Sequence, residues 1–247
     1  MRNIFIETEY LGTNYFGFQV QNKKNSFENT VQKEIEGAIN RLFKQDIRLI
    51  YSSRTDKGVH ALGHCANFKI TTNIPLKNIK RALNSFLPED IRIKKVRSMP
   101  LDFHARFSVK SKIYRYMIDN SKELSILKKD FVYHYPNRLD IDKMIKVSKL
   151  LIGRRDFSVF AKDASRYETC VRTVKDISIR KKGRVISIDI EADGFLMYMA
   201  RNIVAFLLKC AAENMTLKHA KDIIASKKDY SNNPVPAKGL YLVKVKY

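Results

Sequence analysis

Apolar and polar side chains alternate from the start of the chain: Ile4, Ile6, Thr8 and Tyr10 fall on one side of an extended backbone, Phe5, Glu7 and Glu9 on the other. That period of two predicts a strand. A loop from Gly12 to Gly17 follows, rich in aromatics and amides (Asn14, Tyr15, Phe16, Phe18, Gln19, Gln21). Val31, Ile35, Ala38, Leu42 and Phe43 then recur at helical spacing, with Asn29 and Gln32 placed like a capping box. Ile47–Ser52 and His64–Thr71 read as strands around a polar loop. Pro75 opens a helix marked by Leu76, Ile79, Leu83 and Phe86, and Ile91–Val96 returns as a strand.

The second half repeats this order. Lys112–Ile118 reads as a strand, Asp140 caps a helix over Ile141–Ile152, and Arg184–Glu191 is a strand with Ile186, Ile188 and Ile190 on one side. A long apolar helix runs around Met197–Ala211, and Thr216 caps a shorter one over Leu217–Ser226. Tyr241, Val243, Val245 and Tyr247 close as a strand. Two successive strand and helix halves, without a sequence repeat between them, predict an α+β protein. The boundary falls near residues 100–110, so residues 1–104 form an N-terminal half and residues 105–247 a C-terminal half.

Charge narrows the function. Among 247 residues there are 47 Lys+Arg against 25 Asp+Glu, a formal net charge of +22. The excess is spread along the chain, the footprint of a protein that binds a polyanion; the plainer reading is charge that only aids solubility. Cys65, Cys170 and Cys210 are far apart and show no zinc-ligand spacing, so a reduced, cytoplasmic protein without metal is expected. Glu7 and Glu9 interrupt the apolar start, unlike a signal peptide. Phe195–Ala212 carries Arg201, Asn202 and Lys209 and is too polar to span a bilayer.

Ser53-Arg54-Thr55-Asp56-Lys57-Gly58-Val59-His60 sets one carboxylate among a guanidinium, a hydroxyl and an imidazole. An ionised Asp56 is available as nucleophile or base; an Asx-turn would equally explain a loop aspartate. Arg201 sits in a helix apolar nearly all round, which predicts a buried guanidinium in need of an acid. Asp56 is one candidate, Asp193 or Glu213 the structural alternatives. Tyr114 and Tyr116 share a strand face, where a tyrosine either stacks on a base or packs in the core. Phe103-His104-Ala105-Arg106-Phe107 combines a cation, an imidazole and rings suited to sugar–phosphate contact. Arg154 and Arg155, with the run 162–172, form a basic connection that is either a solvated loop or a phosphate-binding flap.

The Arg54–Ala61 segment resembles the Arg-Thr-Asp-x-Gly-Val-His-Ala signature of the TruA-type tRNA pseudouridine synthases. Further blocks resemble that family in order: Tyr10–Gln19, Thr30-Val-Gln, Ala82–Pro88, Phe103–Arg106, Tyr114-x-Tyr116, Arg155-Asp-Phe, Arg172-Thr-Val, Met199–Val204 and Pro236–Leu242. The resemblance implies the pseudouridine synthase fold, a mixed, largely antiparallel sheet in two similar halves with helices packed on it and a central active-site cleft. It implies a homodimer, without cofactor or metal, that isomerises uridines 38, 39 and 40 of the tRNA anticodon stem-loop. Carried onto this chain, it makes Asp56 the catalytic carboxylate, Arg201 its buried partner and Tyr114 the residue stacked on the target uracil. Arg54, Thr55, Lys57, His60, Phe103, His104, Arg106 and Arg155 would hold RNA. Attack at C1′ of the ribose or at C6 of the ring is equally compatible. Leu11, Phe18, Ser53, Lys57 and Ala200 depart from the family pattern. Other tRNA or structured-RNA uridines, or RNA binding without catalysis, are the competing readings.

Overall fold

The computed structural model describes residues 1–20, 29–226 and 233–247, which leaves Gln21 of the N-terminal loop outside the described residues. It is α+β, with mostly antiparallel strand pairing and five α-helices among the described residues. The chain forms two compact units: Met1–Lys110 with Tyr241–Tyr247, and Ser111–Leu240.

In the first unit β1 (Arg2–Tyr10) lies between β3 (His60–Ile70) and β4 (Ile91–Met99), antiparallel to both. The predicted alternation is present. Ile4 and Ile6 are fully buried, whereas Glu7 and Glu9 pair with Lys95 (2.9 Å) and Lys94 (3.2 Å) of the neighbouring strand. The other edge of β3 takes β10 (Leu240–Lys246) in parallel at His60–Ala61 and β2 (Ile50–Tyr51) in antiparallel at Ala66–Asn67. The final strand therefore belongs with residues 1–110, although a linear division of the sequence puts it in the second half. Helices α1 (Val31–Phe43) and α2 (Leu76–Phe86) pack on one another, burying Val31, Ile35 and Ile39 from the first and Ile79 and Leu83 from the second. The cap of α1 is Thr30, whose hydroxyl accepts from Lys33 N, and not Asn29. Gln32 is not its capping-box partner: its Oε1 accepts from Val20 N instead.

The second unit runs β5 (Ser111–Asp119), β9 (Val185–Ala192), β8 (Val171–Lys182) and β7 (Gly153–Asp156) in antiparallel order, with β6 (Tyr133–His134) parallel to β5. Helix α3 (Ile141–Ser148) packs on α4 (Met199–Ala212) and on α5 (Leu217–Ala225). Ile186, Ile188 and Ile190 of β9 are buried, as their alternation predicts. Strand β8 lies partly in the segment read as a basic connection. It escapes a period-two reading because its register slips between Val174 and Asp176, so that buried Val174 and Ile177 stand three residues apart.

Candidate active site

In the first unit the Asp56 loop joins β2 to β3 and is fixed from both sides. Ser52 N donates to Cys65 O (2.8 Å), and Cys65 N returns a bond to the Ser52 hydroxyl (3.3 Å). His64 is fully buried, stacks on Phe18 at 3.8 Å, and its Nε2 bonds the Ser53 carbonyl at 2.8 Å. The Tyr10 and Thr55 hydroxyls share a 2.8 Å hydrogen bond, and Val59 N closes the turn onto Asp56 O (3.1 Å). Gly58 completes it at φ 79°, a left-handed backbone that glycine adopts without a Cβ penalty.

The Gly12–Phe18 loop is the second support. Phe18 N donates to Thr55 O (3.3 Å) and Gly58 N to Tyr15 O (3.4 Å). The contact is so close that a Cβ on Gly17 would lie 2.4 Å from Thr55 O, and one on Gly12 would lie 2.0 Å from Val59 O. Tyr15 anchors this loop by donating to Asp90 Oδ1 at 2.5 Å. Burial and the Asp90 carboxylate both push its phenol pKa well above the ordinary value. Tyr15 and Phe18 thus have a mechanical meaning in this loop. The loop is a brace for the aspartate.

Within this loop Asp56 is half-buried and Arg54 exposed. The Arg54 guanidinium makes no hydrogen bond or ion pair among the described residues, so its charge is available to an incoming anion. Lys57 sits over the Phe16 ring, 3.9 Å from its centroid. His60 differs from the expectation of an RNA contact. It is fully buried, its Nδ1 accepts from Gly12 N (3.0 Å), and its ring stacks on Tyr241 at 4.8 Å. It is a positioning residue, because a side chain with no exposed surface cannot touch a phosphate.

Phe103, His104 and Arg106 lie on a different turn of the first unit. The Phe103 ring packs against Phe5 (5.9 Å) and Tyr247 (5.0 Å). Beneath the turn runs a buried amide network that the sequence did not reveal. Asn67 Nδ2 donates to Asn3 Oδ1 (2.7 Å), Asn3 Nδ2 to Phe103 O (2.9 Å) and Ala105 N to Asn67 Oδ1 (2.8 Å). Asn3 and Asn67 lie diagonally across adjoining strands, Asn3 standing opposite Lys69 and Asn67 opposite Phe5, and that placement depends on register, which single residues do not show.

In the second unit Tyr114 is buried with its ring edge-on to Phe195 at 4.9 Å. Tyr116 is buried as well and donates to Pro236 O at 2.8 Å. Burial raises its phenol pKa, and the positive charge of Arg201 opposes that shift. Arg201 is half-buried, not buried as expected. It shares with Ala205 and Lys209 a stripe of α4 at spacing four that stays less covered than the rest of the helix. Its Nε donates to Val235 O (2.7 Å) and its guanidinium lies 4.6 Å from the Tyr198 ring centroid. Tyr198 itself is left-handed (φ 62°), an uncommon conformation for a tyrosine, at the entry to α4. Arg155, on β7, is exposed and reaches only its local backbone at Ile152 O (3.4 Å). No cluster of His, Cys, Asp and Glu able to hold a metal ion occurs among the described residues, and no helix among them is long and apolar enough to cross a membrane.

A half-buried carboxylate on a doubly braced loop, with a free guanidinium beside it, in a basic α+β chain defines an RNA-directed isomerase when set beside known proteins. Residues 7–108 and 147–247 match the family described as tRNA pseudouridine synthase. The chain is 41% identical over 247 residues to the tRNA pseudouridine synthase A 2 of Clostridium tetani, covering 100% of this chain and 99% of the relative. It is 42% identical over 248 residues to the tRNA pseudouridine synthase A 2 of Clostridium perfringens, covering 100% of each. The same identity, length and coverage hold for the tRNA pseudouridine synthase A of Acetivibrio thermocellus. The chain belongs to the tRNA pseudouridine synthase family and is an enzyme that isomerises uridine to pseudouridine in tRNA.

Proposed function

We propose that this enzyme acts on uridines 38, 39 and 40 of the tRNA anticodon stem-loop, with Asp56 as its catalytic carboxylate. The observation that carries this reading is the loop itself. Hydrogen bonds from β1, β3 and the Gly12–Phe18 loop converge on a segment holding one acid. A solvated surface turn needs no such support. A paired uridine has to be extruded before its glycosidic bond is reachable, at a cost of a few kcal/mol. Contacts from Arg54, Lys57, Arg106 and Arg155 to phosphates supply that energy. Thr55 holds the loop geometry, Phe103 and His104 hold the turn that carries Arg106, and His60 fixes the two loops to each other. The carboxylate attacks C1′ or C6, the C1′–N1 bond breaks, the ring rejoins through a C1′–C5 bond, and the bond to the carboxylate breaks to regenerate Asp56. N1 gains a proton as C5 loses one, so the reaction is redox-neutral and draws on no cofactor. Tyr114 serves the uracil and its C5 proton, and the Arg201 guanidinium serves the same reaction. The working form is a cytoplasmic homodimer.

The test is tritium release from tRNA labelled at uridine C5. Asp56→Asn removes the nucleophilic oxygen while keeping the side chain's shape, so release is expected to cease with tRNA affinity retained. Turnover by that variant would end the assignment of Asp56. Mapping pseudouridine in tRNA from cells with and without the protein tests the three positions.

A further inference from the structure

Phe107 has no part in the chemistry above, yet it is 75% exposed, far more than any other phenylalanine or tyrosine among the described residues. An exposed ring on a mobile loop would mean little. This one is held. Ser108 N donates to His104 O (2.9 Å) and His104 N to the Ser108 hydroxyl (3.2 Å), which closes the turn reciprocally. The His104 Nδ1 accepts from both Arg106 N (3.2 Å) and Phe107 N (3.3 Å), so the imidazole is locked as an acceptor inside the turn. Its ring stacks on Phe107 at 4.3 Å and 28°. Below, the Asn3–Asn67 network and a 3.0 Å bond from the Tyr247 hydroxyl to Ala105 O tie the turn to the sheet. The exposed Arg106 places its guanidinium 5.5 Å from the Phe107 centroid.

We propose that Phe107 is a preformed stacking platform for one unpaired base of the tRNA substrate, with Arg106 taking the phosphate of the same nucleotide. A rigid ring loses little freedom on binding, and its π face accepts any base without sequence preference. The occupant is a nucleobase and not another protein, because the open surface is a single ring flanked by a cation in a chain of net charge +22. The proposal rests on the tRNA reading and adds a contact to it away from the aspartate loop.

Loss of one base–aromatic stack corresponds to an affinity about 5- to 150-fold weaker. Phe107→Ala and Phe107→Leu are both expected to raise KM for an unmodified tRNA transcript by that factor with kcat within about twofold, and Phe107→Tyr to restore it. The leucine variant keeps apolar bulk without a π face, so it separates stacking from folding. The chain has no tryptophan, so Phe107→Trp gives a single indole that can be excited selectively at the red edge, beyond the absorption of the 12 tyrosines. Its fluorescence should be quenched by the transcript and not by a blunt RNA duplex of equal phosphate count. Equal quenching by both, or an unchanged KM in the alanine and leucine variants while the wild type makes pseudouridine, would overturn the platform and leave the enzyme reading intact. A wild type that makes none sinks that reading instead.

Discussion

The contact between Gly17 and the Asp56 loop offers the sharpest test of how the site is built. A Cβ at Gly17 would lie 2.4 Å from Thr55 O, and restoring an ordinary van der Waals contact of 3.4 Å requires a shift of about 1 Å. The obstructing atom is backbone, one residue before Asp56, so the shift passes to the carboxylate. Gly17 also sits at φ +91°. A side chain in left-handed backbone adds roughly 1–2 kcal/mol of strain. Against a native stability of about 5–15 kcal/mol the fold survives, with Tm lower by roughly 2–8 °C. With Asp56 in its proposed role, catalysis does not tolerate the displacement so well: about 1 Å of misplacement costs on the order of 100-fold. Gly17→Ala should therefore retain its far-UV circular dichroism, bind tRNA, and lose about two orders of magnitude in kcat/KM for tritium release. A variant within about threefold of wild type would show that the N-terminal loop does not position the aspartate.

Two further predictions use features away from that loop. Gly37 lies exposed in α1 with nothing within 4 Å of an added Cβ, so Gly37→Ala should stabilise the protein by about 0.5–1 kcal/mol in denaturant titration at unchanged activity; destabilisation would contradict the helix geometry. Burial, helped by Glu7, pushes the Cys65 thiol up to about 12, and burial with Glu213 pushes Cys210 up to about 11, both from an ordinary 9.0. The fold therefore favours the protonated thiols. Their contribution is complete below about pH 9 and is lost as pH rises toward the folded values, so the denaturation midpoint should fall as pH rises from about 9 to about 11. A flat or rising profile would refute that.

Much of this was legible in the chain, for reasons that differ by element. The strands of Ile4–Tyr10 and Ile186–Ile190 read clearly because one face of each is buried throughout. Thr216 was legible as a cap because its hydroxyl does accept from His219 N. The start of α1 misled, since Asn29 and Thr30 are both good caps and only backbone geometry chooses between them. Ile47–Ser52 read as a strand on its apolar residues, yet only Ile50 and Tyr51 join a ladder. In the site, the Arg54–His60 segment carried the family resemblance, but did not show which residues face solvent. His60 looked like a ligand and is a brace. Arg201 looked buried because the long apolar run hid the weak Arg201–Ala205–Lys209 stripe. The Asn3–Asn67 bond had no signal at all, since it joins residues 64 apart.

The parallel pairing of β10 with β3 has a consequence for biosynthesis. Tyr241–Tyr247 completes the unit that is translated first, but emerges only after the whole of Ser111–Leu240. At roughly 5–20 residues per second, those intervening residues take on the order of ten seconds to make. Through that interval the nascent N-terminal portion has an open flank on β3 and lacks the Tyr247 ring from its aromatic cluster. Unpaired strand borders of this kind invite association with other chains. The order of translation thus leaves this border uncovered until the last residues of the strand have been made.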